Sequence, residues 1–483
     1  MAQDTDNITI AIMGDSPDIH TGFAVPVKEA LKACCAEGWN IHVLAFMDPD
    51  RRDLKERNNP VVGEIEGHPY TKYHSFMFDD LWHQNWDKFL RFIKPDVVFI
   101  VTDPGNLYKY LYGMKHSKIK RKMPDGRWFT PPVVSYTPVE NTPIPYHHRD
   151  AWELVQWLGG VPIVYCDTAA KMIRDQFPNI MPKVARHGSD HADFKKYSDE
   201  DRRMLRRMVG LDGRFVVGCV AVNKRTKGLD KIIYTARELK DMGKADNILF
   251  YLHTNPTEST MFGYPLDEMI EYYDVADMVI FKQIVEGSWY WMGSDRDNDT
   301  LEQVRILGDQ IPEDPEVRGF LWMHYDFIAK LNCFDAYIDL SQVEGWSLPN
   351  TEAMACGVPV IGVKDHGVRD EIFAGARLEI EPLPRRLWNT TQSSARLVDC
   401  DPREAALKIL ELKDDEALQA RLSNAGLECA RRYSWKDYQK IVIDTIKETV
   451  RLDREMMRKP VDLPETDLSL NLDSFPESEG VRV

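Results

Sequence analysis

Residues 344–362 read EGWSLPNTEAMACGVPVIG, and this stretch predicts a loop, a helix and a strand in succession. The apolar run before it ends near Ser341. Pro349 suits the first position of a helix, because its missing N–H would have no partner there, and Gly357 suits the helix end. Pro359 then begins the next strand. The stretch therefore predicts a strand, loop, helix and strand unit of an α/β protein.

The same alternation of strands and helices extends over most of the chain. Apolar, β-branched runs predict strands at 8–13, 40–46, 97–101, 133–136, 161–165, 215–220, 248–252, 278–281, 336–340 and 358–363. Strands that alternate with helices predict parallel sheets covered on both faces. A chain of 483 residues with 43% hydrophobic residues exceeds the usual size of one core. We therefore predict two doubly wound α/β units.

The highly charged segment 199–207 contains the predicted boundary between the two units. Residues 1–205 form the first unit and residues 206–430 the second. Residues 431–458 are predicted as a C-terminal helix that returns to the first unit. Residues 459–483, rich in Pro, Asp, Glu and Ser, are predicted as a flexible tail.

An acidic, turn-prone insertion at about 285–319 interrupts the second unit. Its D-x-D-x-D string at 295–299 suggests calcium. An EF-hand loop needs glycine at its sixth position and glutamate at its twelfth, where this chain has Thr300 and Ile306. We therefore predict a solvated loop and no metal site.

Composition excludes several classes of protein. The formal net charge of −16 argues against general binding of polyanions, although the basic patch 115–122 fits either a solvated helix end or a site for an anionic acceptor or membrane surface. Apolar runs too short to span a bilayer and an acidic N-terminus predict a cytoplasmic protein without a transmembrane segment. Eight scattered cysteines without C-x-x-C spacing are predicted to be reduced core residues. The sequence indicates no oligomeric state.

Two glutamates in the first stretch are candidate ligand-binding groups. Glu344 lies in the loop and Glu352 on the helix, so both carboxylates can face one pocket, one reaching sugar hydroxyls and the other a ribose. The backbone N–H groups around Ser347, Leu348 and Asn350 would lie at a helix N-terminus, which suits a diphosphate. The alternative is that both glutamates are capping and surface acids.

A second candidate is the basic loop between the strand at 215–220 and the next helix. Lys227, with either Lys224 or Arg225, would neutralise a departing diphosphate beside the helix N-terminus. The alternative is a solvated turn.

The first unit offers weaker signals. Thr21 and Gly22 begin a helix after the first strand, without a full G-x-G-x-x-G, so ligand contact and a simple tight turn both stay open. Glu140 follows a strand at the edge where ligands bind in open α/β sheets, and His147 lies further on. Asp103 is a further candidate on this side. A polar loop with local hydrogen bonds is the alternative at Glu140.

Residues 344–362 resemble the Glu-x7-Glu element of the large retaining glycosyltransferase family 4, including its E-A-M-A-C-G-x-P-V-I continuation. Lys227 and Gly228 are similar to the family's Arg…Lys-Gly element. Residues 186–194 resemble its interdomain stretch, and Ser434 with the next residue resembles the start of its closing helix. The resemblance implies the GT-B fold, in which two Rossmann-like, doubly wound parallel-sheet domains face a central cleft.

The resemblance also implies an activity. A sugar would pass from a nucleotide-sugar, with a UDP- or GDP-sugar expected, to an acceptor with retention of configuration, and no cofactor or metal would be required. Glu352 would hold the ribose, and Glu344 would contact the transferred sugar. The catalytic candidates are Glu344, Lys227 and Arg225, the donor-binding candidates are Glu352, Lys224, Ser347, Leu348, Asn350, Gly345, Gly22 and Thr21, and the acceptor-side candidates are Glu140, Asp103 and His147. Many relatives have histidine or aspartate near the position of Glu140.

The acceptor is left open by the sequence. A glycan or small molecule is expected first, and a glycan or protein would use aromatic residues such as Trp82, Trp86, Tyr146 or Trp152. A lipid phosphate or a nucleic acid with a modified base would use the basic patch. An epimerase or phosphorylase on the same fold, and a non-catalytic or partner-dependent binding protein, are the competing functions. The joint presence of Glu344, Glu352 and Lys227 favours catalysis.

Overall fold

The computed structural model describes residues 7–19, 21–46, 60–74, 86–116, 121–122, 128–140, 142–189, 194–208, 210–257, 263–281, 327–364, 367–384, 387–388 and 396–458. The acidic insertion at 285–319 with its D-x-D-x-D string, the tail 459–483, Trp82 and part of the basic patch lie outside these residues.

The N-terminal half is built on one large sheet. Its strands are β1 (Thr9–Asp15), β2 (Asn40–Phe46), β3 (Val61–Ile65), β4 (His68–His74), β5 (Val97–Val101), β8 (Val133–Tyr136), β9 (Val161–Val164) and β10 (Lys183–Val184), while β6 (Arg121–Lys122) and β7 (Trp128–Phe129) form a separate ribbon. The helices are α1 (Ala24–Ala36), α2 (Trp86–Ile93), α3 (Pro104–His116), α4 (Tyr146–Trp157), α5 (Asp167–Gln176) and α6 (Asp199–Met208).

The strand order in this sheet is β10-β9-β8-β5-β1-β2-β4-β3, and every pairing is parallel except that of β3 with β4. Strands β5 and β8 are buried along their whole length, because helices cover both faces of a parallel sheet. The chain leaves β1 toward β2 on one side and later returns to β5 on the other. The carboxyl ends of β1 and β5 therefore flank the switch point, where such sheets open a crevice.

The C-terminal half contains a six-stranded parallel sheet in the order β13-β12-β11-β14-β15-β16. Its elements are β11 (Phe215–Val220), a 3₁₀ turn (Arg225–Lys227), α7 (Leu229–Asp241), β12 (Ile248–His253), α8 (Leu266–Tyr272), β13 (Val279–Phe281), α9 (Phe327–Asn332), β14 (Ala336–Asp339), α10 (Leu348–Ala355), β15 (Val360–Val363), α11 (Val368–Ile372), β16 (Arg377–Ile380), the ribbon β17 (Leu387–Trp388) and β18 (Arg396–Leu397), α12 (Pro402–Asp414), α13 (Glu416–Arg431) and α14 (Trp435–Arg458). Its switch point lies between β11 and β14. The loops after these two strands carry the basic loop and Glu344.

The ten strands predicted from the sequence are all present, and they confirm an α/β chain with two parallel sheets. The sequence did not predict β3, β4, β10 or β16. Exposed and half-buried positions alternate in β3, which lies at the sheet edge, and β10 has only two residues. Such strands lack the continuous apolar run that marks a buried parallel strand.

Helix α6 crosses the boundary predicted at residue 205. The guanidinium groups of Arg202 and Arg206 bond to the Asp335 carboxylate at 2.7 and 2.9 Å, and the Tyr197 N–H donates to Asn332 at 2.8 Å. The segment from Tyr197 onward therefore packs with the C-terminal half, several residues before the predicted boundary.

The last helix returns to the N-terminal half. Helix α14 begins at Trp435, where the Ser434 hydroxyl accepts the Lys436 N–H at 3.1 Å. The Tyr438 hydroxyl then donates to the Pro26 carbonyl of α1 at 2.8 Å. All eight cysteines are buried and none is in a disulfide. No helix within the described ranges is long and apolar enough to cross a membrane.

Candidate active site

The N-terminal and C-terminal halves meet at Gly345, in the loop after β14. A Cβ atom built on Gly345 would lie 2.8 Å from the Pro138 side chain and 3.5 Å from the Tyr165 ring. Both neighbours belong to the N-terminal half, on the loops after β8 and β9. Only a residue without a side chain allows the loops to approach this closely. The residues around Gly345 therefore form a site with walls from both halves.

An ion pair joins the two loops of the C-terminal switch point. Lys227, at the end of the 3₁₀ turn after β11, pairs through Nζ with Oε1 of Glu344. Burial alone would lower the pKa of Lys227, but the carboxylates of Glu344, Asp339 and Glu140 outweigh that effect and raise the pKa. Lys227 is therefore a cation at neutral pH, and it lies next to a carboxylate in a partly buried site.

Asp339, the last residue of β14, organises the start of α10. Its carboxylate accepts hydrogen bonds from the Asn350 amide at 2.8 Å and the Ser347 hydroxyl at 3.3 Å, and the Arg369 guanidinium lies 3.6 Å away. Burial raises the pKa of Asp339, but Arg369 and the hydrogen bonds from Ser341 outweigh it and hold the pKa below its usual value. This network could not be predicted from local sequence patterns, because Arg369 lies 30 residues after Asp339.

The network holds a strained turn. Ser347 has φ of +73°, in the left-handed region that costs a non-glycine residue about 1–2 kcal/mol. The Ser347 carbonyl accepts the Asn350 N–H at 3.2 Å, and the Asn350 side chain is fully buried. The side chains of Ser347 and Asn350 are thus engaged with Asp339, and they position the turn that leads into Leu348 at the start of α10. Backbone strain of this kind persists at functional sites.

Glu352 lies on α10, five residues after the strained Ser347. Burial raises the pKa of its carboxyl to about 7. Among the described residues, no hydrogen-bond donor or cation reaches this carboxyl group. A half-buried carboxyl without a partner gains from a hydroxyl-bearing ligand, because an unsatisfied buried acceptor costs free energy.

The two other cations of the basic loop, Lys224 and Arg225, have different surroundings. Lys224 is exposed, and its charge opposes the rise that burial causes in the pKa values of Asp15, Asp103 and Glu140, so it lies near these carboxyl groups of the N-terminal half. The Arg225 guanidinium lies over the Tyr264 ring instead, 5.9 Å from its centroid. The sequence left either residue open as the second cation. The structure brings Lys224 to the N-terminal carboxylates.

Asn223 holds this loop in place. Its side-chain amide donates to the backbone carbonyls of Asn255 at 3.0 Å and Tyr264 at 2.7 Å, and its oxygen accepts the Tyr264 N–H at 3.0 Å. Asn223 is buried, and no sequence pattern predicted this role for it. Its three bonds fix the backbone that presents Lys224 and Lys227.

Three carboxylates from the N-terminal half face these cations. Asp15 ends β1, Asp103 follows β5 and Glu140 follows β8, and these three strands are neighbours in the sheet. Burial raises the pKa of Asp15 to about 6, although the hydrogen bond from the Thr21 hydroxyl lowers it in part. Burial raises the pKa of Asp103 as well. Burial, with the charges of Asp103 and Glu344, raises the pKa of Glu140 to about 8.

Residues 302–428 match the family model of "Glycosyl transferases group 1", about a quarter of the chain. No curated protein matches the chain. Similar solved structures include Anabaena HepE in complex with UDP and glucose, with 15% identity, a TM-score of 0.60, and coverage of 91% of this chain and 100% of that one. Sucrose-phosphate synthase from Thermosynechococcus elongatus is similar at 13% identity, with a TM-score of 0.60 and coverage of 93% and 99%. The fold is GT-B.

The GT-B fold agrees with the expectation drawn from residues 344–362. The matched residues 302–428 include Glu344, Glu352 and all of α10. The GT-B structure also brings Glu140 and Asp103 of the N-terminal half near Lys227 and Lys224 of the C-terminal half. Asp15 belongs to the same group. It was missed as a site residue, although its position at the end of the first strand is a signal that could have found it.

The surroundings of three other predicted site residues, Thr21, Gly22 and His147, are as follows. The Thr21 hydroxyl donates to Asp15 at 2.5 Å and accepts the Ala24 N–H at 3.0 Å, so it caps α1. Gly22 is exposed, and a Cβ atom there would meet nothing within 4 Å. His147 lies on the first turn of α4 with its ring 4.4 Å from that of His148.

The prediction for Trp152 as a glycan-contacting aromatic residue is wrong. Trp152 is fully buried, and its indole N–H donates to the Thr137 hydroxyl at 3.0 Å. Trp152 lies among the other buried apolar residues of α4, Ala151, Leu154 and Val155, which pack against the core. Tyr146, on the first turn, is 69% exposed.

Proposed function

We propose that this chain is a glycosyltransferase that moves a sugar from a nucleotide-sugar, a UDP-sugar first, to an acceptor hydroxyl with retention of anomeric configuration. The observation that carries the proposal is the Lys227–Glu344 ion pair beside the start of α10, with Glu352 unpaired on the same helix. The match of residues 302–428 to group 1 glycosyl transferases supports it. The complexes of HepE with UDP and with UDP-glucose support a uridine nucleotide.

The donor would lie along the start of α10. Its diphosphate would take positive charge from Lys227, from Lys224 and from the N-terminal end of the helix. Glu352 would accept hydrogen bonds from the two ribose hydroxyls, which would satisfy its unpaired carboxyl. Glu344, held by Lys227, would accept hydrogen bonds from the transferred sugar.

The reaction follows from where charge develops. The bond between the anomeric carbon and the phosphate oxygen breaks, and the electron pair stays on the diphosphate, where Lys227 and Lys224 stabilise it. The Glu344 carboxylate stabilises the positive charge on the sugar. The acceptor hydroxyl attacks from the face that the diphosphate leaves, and its proton passes to the departing phosphate oxygen. This route retains configuration and requires no carboxylate nucleophile.

A titration tests the donor site. The purified chain is titrated with UDP, GDP, ADP, CMP and TDP by calorimetry, alongside Glu352→Ala and the control Glu411→Ala, whose exposed carboxyl pairs with Lys408 on α12. We expect selective binding of one nucleotide, at least tenfold weaker in Glu352→Ala and unchanged in the control. Equal affinity in all three proteins would refute the assignment of Glu352, and binding of no nucleotide would refute the proposed function.

A further inference from the structure

The N-terminal wall of the site contains a buried hydroxyl group in addition to its carboxylates. Tyr165 directly follows β9, is 4% exposed, and its hydroxyl has no hydrogen-bond partner among the described residues. Burial raises the pKa of this phenol, and the charges of Asp103, Glu140 and Asp15 raise it further, so the hydroxyl lies near these three carboxyl groups. Strands β9, β8, β5 and β1 are consecutive in the sheet. Each therefore contributes one polar group to the same edge.

The fold leaves much of the hydrogen-bonding capacity of these groups unused. The Asp15 carboxylate has one side-chain hydrogen bond, from Thr21, and the Tyr165 hydroxyl has none within the described ranges. Buried polar groups are normally satisfied, so a cluster that is not satisfied by its own chain is suited to a ligand. Within the described ranges, no three carboxylate, histidine or cysteine side chains converge closely enough to hold a metal ion. The groups are spread over a surface rather than around one point.

The charge of this wall decides which ligand fits. Lys224 and Lys227 are the cations that act on Glu140. The proposed donor diphosphate would occupy both of them, and an acceptor would then meet the acidic groups alone. At neutral pH Glu140, with a pKa of about 8, is mainly the neutral acid, whereas Asp15, with a pKa of about 6, is mainly ionised. The Asp15 anion would repel a phosphate or carboxylate on the acceptor, whereas sugar hydroxyls would donate to the carboxyl oxygens and accept from the Tyr165 hydroxyl.

We propose that Asp15, Asp103, Glu140 and Tyr165 form the acceptor subsite and that it takes an uncharged polyhydroxyl compound, a neutral sugar or glycan. This inference rests on the proposed function. It excludes a sugar phosphate, a lipid phosphate or a nucleic acid backbone from the subsite.

Variants of two tyrosines separate a binding role from a structural one. Tyr165→Phe removes only an unpaired hydroxyl, so we expect an unchanged or higher Tm, unchanged nucleotide affinity, and a kcat/KM for the acceptor at least tenfold lower. The control is Tyr136→Phe, because the buried Tyr136 hydroxyl donates to the Ala185 carbonyl at 2.9 Å. We expect the control to have a lower Tm and an unchanged KM for the acceptor. A Tyr165→Phe enzyme with unchanged acceptor kinetics would overturn the proposal.

An acceptor panel tests the substrate class. Release of nucleotide from the donor is measured with glucose, galactose, mannose, trehalose and maltotriose, and with glucose 6-phosphate, fructose 6-phosphate and a hydroxymethylated DNA oligonucleotide. We expect acceleration by at least one neutral sugar and by no phosphorylated compound. Acceleration by a phosphorylated compound alone, or by none of the neutral sugars, overturns the subsite proposal. The nucleotide titration is independent of the acceptor, so failure here leaves the proposed donor site standing.

A charge variant provides a further check on the same panel. Asp15→Asn with Asp103→Asn keeps the size of both side chains and removes two ionisable carboxyl groups, including the Asp15 anion. We expect activity with neutral sugars to fall at least tenfold and discrimination against glucose 6-phosphate to weaken by a similar factor, with nucleotide affinity unchanged. Unchanged discrimination contradicts the role assigned to these charges.

Discussion

The Lys227 ammonium group and the Glu344 carboxylate form an ion pair between the loops that follow β11 and β14. Both side chains are partly buried, Lys227 at 25% and Glu344 at 14% exposure. The pair places a cation where a diphosphate would lie and an anion where a sugar would lie. It also ties the two sides of the C-terminal switch point together, with the Gln342 N–H donating to the Thr226 carbonyl at 2.8 Å.

Replacement of Lys227 by alanine should weaken binding of UDP by at least tenfold and leave binding of uridine unchanged, because only the diphosphate needs the cation. Turnover should fall by about 100- to 1,000-fold, the usual cost of one lost transition-state donor. Calorimetry with both ligands and a turnover assay measure this. Lys240→Ala, which removes an exposed lysine paired with Asp274, is the matched control. Equal losses for UDP and uridine would point to a damaged fold instead.

Lys224 and Arg225 should differ in effect. Lys224→Ala should lower kcat at least tenfold, because Lys224 acts on the carboxylates across the site, whereas Arg225 lies over Tyr264. Arg225→Ala should change kcat by less than threefold. Steady-state kinetics of the two variants, measured under the same conditions, test this difference in kcat. A larger loss in Arg225→Ala would reverse the assignment.

Arg369→Met should lower the free energy of unfolding by about 3–5 kcal/mol, because it leaves the Asp339 carboxylate buried without its cation. Urea unfolding followed by circular dichroism measures the change. The control is Arg403→Met, because the Arg403 side chain is 59% exposed in its pair with Glu238. Exposed ion pairs contribute about 0–1 kcal/mol, so the control should be nearly neutral. A loss as small as that of the control would show that the Asp339 network does not need Arg369.

Glu140→Gln should change how stability depends on pH. The folded-state pKa of Glu140 is about 8, above its unfolded value of 4.5, so its contribution to stability is fully present below pH 4.5 and is lost as pH rises through 8. Glutamine does not ionise and loses nothing over this window. The Tm of the variant relative to the natural protein should therefore rise between pH 5 and pH 9. A pH-independent Tm difference would mean that burial does not disfavour the Glu140 anion.

The sequence predicted those parts of the site that depend on neighbours along the chain. The strand, loop and helix around Glu344 and Glu352 were predicted correctly, because Pro349 and Gly357 act within a few residues of where they stand. The roles of these residues stay predictions until the variants are measured.

The parts that depend on distant contacts were not predicted. Asp339 needs Arg369, and Glu140 gains its environment from residues of the other half of the chain. Tyr165 ends an apolar strand and therefore has the pattern of a core residue; only its unpaired hydroxyl distinguishes it. Trp152 is the opposite case, a core residue that was predicted to contact a ligand. The sequence does not show whether a tryptophan on a helix faces solvent or the core.

Helix α14 lies on α1, although the contacting residues Tyr438 and Pro26 are 412 positions apart. On the ribosome, the first helix emerges long before its covering helix has been translated. The apolar residues of α14 that are buried in the finished protein, among them Val442, Ile446 and Val450, are absent throughout that time. The N-terminal half therefore lacks the helix that covers its apolar surface until almost the whole chain has been synthesised. Premature termination anywhere upstream of α14 would release a product with an uncovered apolar face, a substrate for chaperones and proteases.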